Sequence, residues 1–148
     1  MKKVLVATEK PFAKAAVESI KQIVEGAGYE FKTFEKYTTQ EELIQAVADA
    51  NALIIRSDIV DSKVIEAAKN LEIVVRAGAG YDNIDLAACS KRGIVAMNTP
   101  GQNANAVAEL VFGMVIYLIR NQFDGSTGVE LRNKKLGIHG YGYIGKIV

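Results

Sequence analysis

The chain has no tryptophan, one cysteine (Cys89) and one histidine (His139) among its 148 residues. A single cysteine cannot close a disulfide within the chain, which excludes a disulfide-stapled scaffold. Cys89 also sits in an apolar helical pattern, and these features point to a reducing compartment, the cytoplasm. No metal site is expected. Charge of one sign is missing too: 18 Lys and Arg against 17 Asp and Glu leave a net charge of +1. That balance advertises neither a nucleic-acid partner nor attraction to an anionic membrane surface. The opening "MKKVLVATEK" holds only a short apolar run before charge returns, unlike a secretory signal. One longer apolar stretch, 104–119, falls short of the ~20 residues a membrane span needs and carries Glu109. It is expected to be a buried or interface-forming helix, with Glu109 anchoring a buried hydrogen bond.

What the chain does contain is alternation. Residues 3–8 (KVLVAT), 52–57 (ALIIRS), 72–78 (EIVVRAG) and 94–99 (IVAMNT) are short apolar runs of the kind found in strands buried on both faces. Residues 29–34 (YEFKTF) alternate, as a half-buried strand at a sheet edge does. Between them, Ala13, Ala16, Val17, Ile20, Ile23 and Val24 recur at helical spacing, with Pro11 suited to the first turn and the glycines of 25–28 ending the helix. Thr39 and Glu42 have the spacing of a capping box, opening a helix through Ala50. Segments 61–70 and 83–93 supply two more helices, and Asn103 or Asn105 is placed to cap the long apolar one. The expected fold class is therefore α/β: a flavodoxin-like doubly wound parallel sheet with helices on both faces. The polar, glycine-containing stretch 120–135 reads as a connection between domains.

Residues 136–148 (LGIHGYGYIGKIV) read as a strand over Leu136–His139, a glycine-rich turn and the first residues of a helix. Gly140, Gly142 and Gly145 have the G-x-G-x-x-G spacing. The first permits the tight turn, the second lets a pyrophosphate approach backbone N–H groups, and the third lets helix and strand pack closely. The helix N-terminus adds partial positive charge toward phosphate. His139, on the strand, is read as a structural residue.

Three blocks occur in order: 53–57 (LIIRS), 76–110 (RAGAGYDNIDLAACSKRGIVAMNTPGQNANAVAEL) and 134–146 (KKLGIHGYGYIGK). Together they resemble the D-isomer-specific 2-hydroxyacid dehydrogenases, from residue 50 or so to the end and more loosely before it. The resemblance implies three parts. Residues 1–98 are the N-terminal part of a substrate domain. Residues 99–133 are an interdomain helix and connection that also builds a homodimer contact. Residues 134–148 are the first βα of an NAD-binding Rossmann domain. It also implies NAD-dependent oxidation of a small phosphorylated 2-hydroxy acid, D-3-phosphoglycerate going to 3-phosphohydroxypyruvate in serine biosynthesis.

The same resemblance assigns roles. The loop Ala77-Gly78-Ala79-Gly80, led by Arg76, receives the substrate carboxylate on backbone N–H groups, and converging amides of that kind form an anion nest. Arg56, with Ser57 beside it, holds the phosphate, for which a planar guanidinium fork is suited. Ala79 borders the nicotinamide, and Gly140, Gly142, Tyr143, Ile144 and Gly145 take the pyrophosphate. The family's acid/base histidine, its glutamate partner and an arginine that orients the substrate lie downstream. No catalytic residue is therefore expected within this chain, which is read as a truncated piece, inactive alone.

Departures from the family pattern are Tyr143 in place of arginine, Ala79 in place of threonine or valine, and a short 120–134 connection without a tryptophan-bearing arm. A structural reading also stands: Arg56 and Arg76 end apolar strands, where each could pair with Asp58 or Asp82. Asp82, Asn83 and Asp85 read as turn and cap residues. Other substrates (glyoxylate, hydroxypyruvate, D-lactate) remain open, as does a non-catalytic NAD-sensing corepressor.

Overall fold

Five strands form one parallel sheet in the computed structural model, which describes residues 1–148. They are β1 (Lys3–Thr8), β2 (Glu30–Glu35), β3 (Ala52–Ile55), β4 (Ile73–Arg76) and β5 (Val95–Met97), in the order β2-β1-β3-β4-β5. This is the flavodoxin-like order expected from the alternation, with its reversal between β1 and β3. Helices α1 (Lys14–Gly26), α2 (Gln40–Ala46), α3 (Ser62–Ala67) and α4 (Leu86–Lys91) connect successive strands. Right-handed crossovers put α1 on one face and α2 to α4 on the other. The chain divides into two compact units, Met1–Thr99 and Pro100–Val148, and all five strands belong to the first.

Register explains where the core lies. Leu5 pairs with Leu53 and Leu53 with Val74, so one face of the sheet presents a row of apolar side chains. Together with Ala7 and Ile55 they pack against Leu43 and Val47 after β2, Val64 and Ile65 of α3, and Cys89 of α4. Burial pushes the Cys89 thiol pKa upward, with the Asp85 charge adding to it. The opposite face is less complete. Val4, Ala52 and Ile73 are half-buried, and Val95 beside them is 53% exposed.

Local caps fix the helices as the spacing predicts. Thr39 and Glu42 form a reciprocal capping box, and Asp61 and Asp85 cap α3 and α4. Arg92 donates to the carbonyls of Ile65, Ala68 and Lys69, closing the end of α3. Helix boundaries differ from expectation: α3 and α4 are shorter than 61–70 and 83–93. Pro11 precedes α1 rather than entering its first turn, and α2 ends at Ala46.

In the second unit, α5 spans Ala104–Ile119, and only Ala104 and Ala108 of it are buried. Leu110, Phe112, Met114 and Leu118 are exposed, which suits the interface alternative rather than the buried one. Glu109 is exposed and accepts from Asn105 Nδ2 at 2.7 Å, so the expected buried hydrogen bond does not form. Asn105 is drawn along the helix surface, and Asn103 at the N-cap position makes no side-chain bond to the helix. No helix of the chain is long and apolar enough to cross a membrane.

The strand expected over Leu136–His139 is absent, and those residues, His139 included, are exposed. A strand exists only through the hydrogen bonds of a neighbour, and the second unit contains no other strand to supply them. The helical part of the pattern does begin: Lys146 donates to the Gly142 carbonyl at 3.1 Å and Val148 to that of Ile144 at 3.1 Å.

The unequal faces make a prediction for urea denaturation. Leu53→Ala, in the sealed core, should cost about 2–5 kcal/mol, whereas Val95→Ala on the open face should cost less than about 1. Equal losses would mean that both faces are sealed.

Candidate functional site

In a doubly wound sheet, loops leaving the carboxyl ends of the strands part where the strand order reverses, and ligands settle in that crevice. Here the reversal lies between β1 and β3. The flanking loops are therefore 9–13 and 56–61, so topology alone brings Arg56 to the crevice. Its Nη1 donates to the carbonyls of Lys10 and Pro11, both at 3.4 Å, and its guanidinium lies 5.6 Å from the centre of the Phe12 ring. Arg76, at the end of β4, donates from Nε to the Arg56 carbonyl at 2.9 Å. Neither arginine forms an ion pair with Asp58 or Asp82. The Arg56 guanidinium instead attaches to the β1–α1 loop and the Arg76 guanidinium to the loop that carries Arg56.

The glycine-rich loop follows directly. Ala77 donates to the Ile55 carbonyl at 2.8 Å and Gly78 to that of Arg76 at 2.9 Å. Its outer side is held by Thr99 N–H on the Gly78 carbonyl at 2.9 Å and by Asn98 Nδ2 on the Ala79 carbonyl at 2.7 Å. The next amides, Ala79 and Gly80, donate to no group of the chain. Two free successive N–H groups at a strand end are the elements of an anion nest. The Arg76 guanidinium lies across Gly78 where a Cβ would fall on its Nη1, so a larger residue there would displace that side-chain end.

Behind the arginines is a buried carboxylate whose part the sequence reading missed. Asp58 is 3% exposed and accepts three hydrogen bonds. Oδ1 takes Glu9 N–H at 2.7 Å and the Tyr37 hydroxyl at 2.7 Å, and Oδ2 takes Arg56 N–H at 3.0 Å. Asn83 Nδ2 donates to the Asp58 carbonyl at 2.7 Å and the Arg56 carbonyl at 3.3 Å. The acid two residues after Arg56 is visible in the sequence, but nothing there shows that it turns to backbone donors. Burial pushes the Tyr37 phenol pKa up, and its bond to Asp58 and the charges of Asp58 and Glu9 add to this.

Ser57 is exposed and lines a hollow of about 230 Å³ with Glu9, Tyr37, Gln40, Leu43 and Ile59. A larger groove of about 520 Å³, bounded by Lys3, Lys32, Phe34 and Asp49, opens beside β2 and α2. It is away from the carboxyl ends of β3 and β4 and shares no residue with the arginine loops.

In the second unit, Gly140 has φ +98°, a conformation that favours glycine. A Cβ at Gly145 would strike the Gly140 carbonyl, so the third glycine of the spacing is set by close backbone approach. The Tyr143 ring packs on Gly101. Gly142 and Ile144 supply the carbonyls of the incipient helical turn.

The catalytic-domain profile of the D-isomer specific 2-hydroxyacid dehydrogenases matches residues 4–138. D-3-phosphoglycerate dehydrogenase of Sus scrofa is 44% identical over 124 residues, covering 74% of this chain and 23% of that protein. The Archaeoglobus fulgidus protein of the same name is 39% identical over 157 residues, covering 97% of this chain and 28% of its own length. Among solved structures, NAD+-bound 3-phosphoglycerate dehydrogenase of Entamoeba histolytica is 52% identical with a TM-score of 0.94, over 98% of this chain and 48% of that one. The chain thus spans only a minor part of the curated relatives' length and 48% of the solved one.

With six tyrosines and no tryptophan, phenol ionisation can be followed cleanly by near-ultraviolet absorbance. Tyr37 should ionise last of the six. Its folded pKa is raised, so its contribution is fully present below the unfolded value of about 10 and is lost as pH rises beyond it. Tyr37→Phe should therefore flatten the loss of stability at alkaline pH. A single ionisation step for all six in the folded protein would contradict the burial of Tyr37.

Proposed function

The chain belongs to the D-isomer specific 2-hydroxyacid dehydrogenases, and on that premise we propose that it supplies the substrate side of NAD-dependent oxidation of D-3-phosphoglycerate to 3-phosphohydroxypyruvate. The observation that carries this reading is the bond from Arg76 Nε to the Arg56 carbonyl, which joins the ends of β3 and β4 beside the free amides of Ala79 and Gly80. A phosphorylated hydroxy acid has an anion at each end, and this site offers two kinds of anion donor.

In this reading the carboxylate lies on the loop Ala77-Gly78-Ala79-Gly80, led by Arg76 and with the free amides of Ala79 and Gly80, and the phosphate is taken by Arg56 with Ser57 beside it. Arg56 gives up two long bonds to carbonyl oxygens, at 3.4 Å each, to do so. A phosphate accepts from a guanidinium in short, bidentate bonds with charge on both partners, so the exchange for two long carbonyl bonds is favourable. An unphosphorylated acid such as glyoxylate or D-lactate would leave that arginine without its anion, which is why it is the weaker assignment.

The glycine conformations at Gly140 and Gly145 fit a pyrophosphate cradle built with Gly142, Tyr143 and Ile144, and Ala79 borders the nicotinamide. NAD, when bound, supplies the hydride acceptor. The exposed apolar side of α5 serves a homodimer, and the protein acts in the cytoplasm, in serine biosynthesis. The acid/base chemistry requires residues other than those of this chain.

The experiment is an NMR titration of the labelled 148-residue chain with D-3-phosphoglycerate and, separately, D-glycerate. D-3-phosphoglycerate should move the amides of 56–58 and 76–80 and bind more tightly than D-glycerate. Arg56→Ala should weaken it by about tenfold or more, the value of a hydrogen bond to a charged group. Mixed with NAD and D-3-phosphoglycerate, the chain alone should show no turnover. Equal affinity for the two acids would remove the phosphate assignment.

A further inference from the structure

We propose that Asp58 is the positioning residue of this anion site: held by the Tyr37 hydroxyl, its buried carboxylate sets the Arg56 loop against the β1–α1 loop and thereby confers preference for a phosphorylated ligand. The inference rests on the reading of Arg56 as the phosphate ligand.

The argument starts from cost. Removing a carboxylate from water is expensive unless donors replace its hydration. Asp58 meets that need without any cation, through Glu9 N–H, Tyr37 OH and Arg56 N–H, at 2.7, 2.7 and 3.0 Å. Those donors come from the ends of β1, β2 and β3, so one side chain ties together the loops on both sides of the switch point. Two further contacts support the arrangement from the β4 side: Asn83 on the Asp58 and Arg56 carbonyls, and Arg76 on the Arg56 carbonyl.

What Asp58 does not touch is as informative. It binds the backbone of Arg56 and leaves the guanidinium to Lys10, Pro11 and Phe12. Had the carboxylate taken the guanidinium in an ion pair, an incoming phosphate would have to displace a carboxylate. As built, it displaces only two carbonyls at the limit of hydrogen-bond distance. The carboxylate therefore fixes where the arginine starts from without neutralising it. Tyr37 completes the arrangement by keeping Oδ1 directed at the Glu9 amide rather than toward the crevice.

The test compares Asp58→Asn and Tyr37→Phe with the unaltered 148-residue chain, using the ratio of the dissociation constants for D-glycerate and D-3-phosphoglycerate from amide titrations. Asparagine keeps the shape of Asp58 but presents an NH2 group to one of its three donors. It should lower the ratio by about tenfold, and Tyr37→Phe, losing one neutral donor, by about threefold. Affinity for D-glycerate should change by less than about twofold in both, since the nest amides are untouched. A merely structural role would weaken both ligands alike, leaving the ratio fixed. If Asp58→Asn does not fold, by amide dispersion, Tyr37→Phe decides alone. An unchanged ratio in folded Tyr37→Phe, or in both variants, overturns the proposal while the phosphate reading of Arg56 stands. Absence of any preference in the unaltered chain would instead overturn that reading, and this one with it.

Discussion

Parallel strands cannot be joined by tight turns, so each strand of this sheet passes its chain to a crossover helix of fixed hand. Because β2 lies on one side of β1 and β3 to β5 lie on the other, the crossovers must divide between the two faces. Two consequences follow from that one constraint. Of the four crossover helices, α2 to α4 take one face and build the core there, and α1 takes the other. The loops after β1 and β3 also lead to helices on opposite faces, with the switch-point opening at their carboxyl ends. Arg56 is at that opening because β3 ends at Ile55, not because any local motif places it there.

The opening is held by polar groups rather than by packing. Loop amides at a sheet end would otherwise have to be satisfied by water, and here two of them, those of Glu9 and Arg56, converge on a single buried carboxylate. The glycine loop uses the complementary device. Its inner amides bond to the Ile55 and Arg76 carbonyls, its outer carbonyls are held by Asn98 and Thr99, and two amides between remain free. Gly78 links the two devices, since the Arg76 side chain crosses it on the way to the Arg56 carbonyl. Rigid surroundings with unengaged donors are the condition for anion recognition at low reorganisation cost.

Much of this was legible from the residues, for definable reasons. Apolar runs such as 52–57 and 72–78 report strands buried in a parallel sheet, and Thr39 with Glu42 reports a helix start, because each signal is local. Arg56, Arg76 and the glycine loop could be named through a family resemblance, and the geometry brings the two arginines together. Asp58 and Tyr37 escaped, since 21 residues separate them and only the fold makes them partners. Glu109 misled because an apolar sequence around it suggests burial, whereas burial depends on what lies opposite the helix. Leu136–His139 misled for the related reason that composition describes a strand's faces and says nothing about the neighbour its backbone requires.

The balance of charge at the switch point then follows from how each group is satisfied. A carboxylate and a guanidinium two residues apart would ordinarily be read as a pair, and paired they would present a nearly neutral surface. Here the carboxylate is saturated by an amide from its own loop, an amide from the next and a phenol, all of which are neutral. The arginine is left with long carbonyl bonds and an aromatic face, neither of which cancels its charge. Separating the two charges by assigning each a different class of partner keeps the positive pole available at the crevice. It also makes the negative pole a fixed part of the framework, since a carboxylate buried in this way can neither swing out nor lose a donor without leaving another polar group unsatisfied.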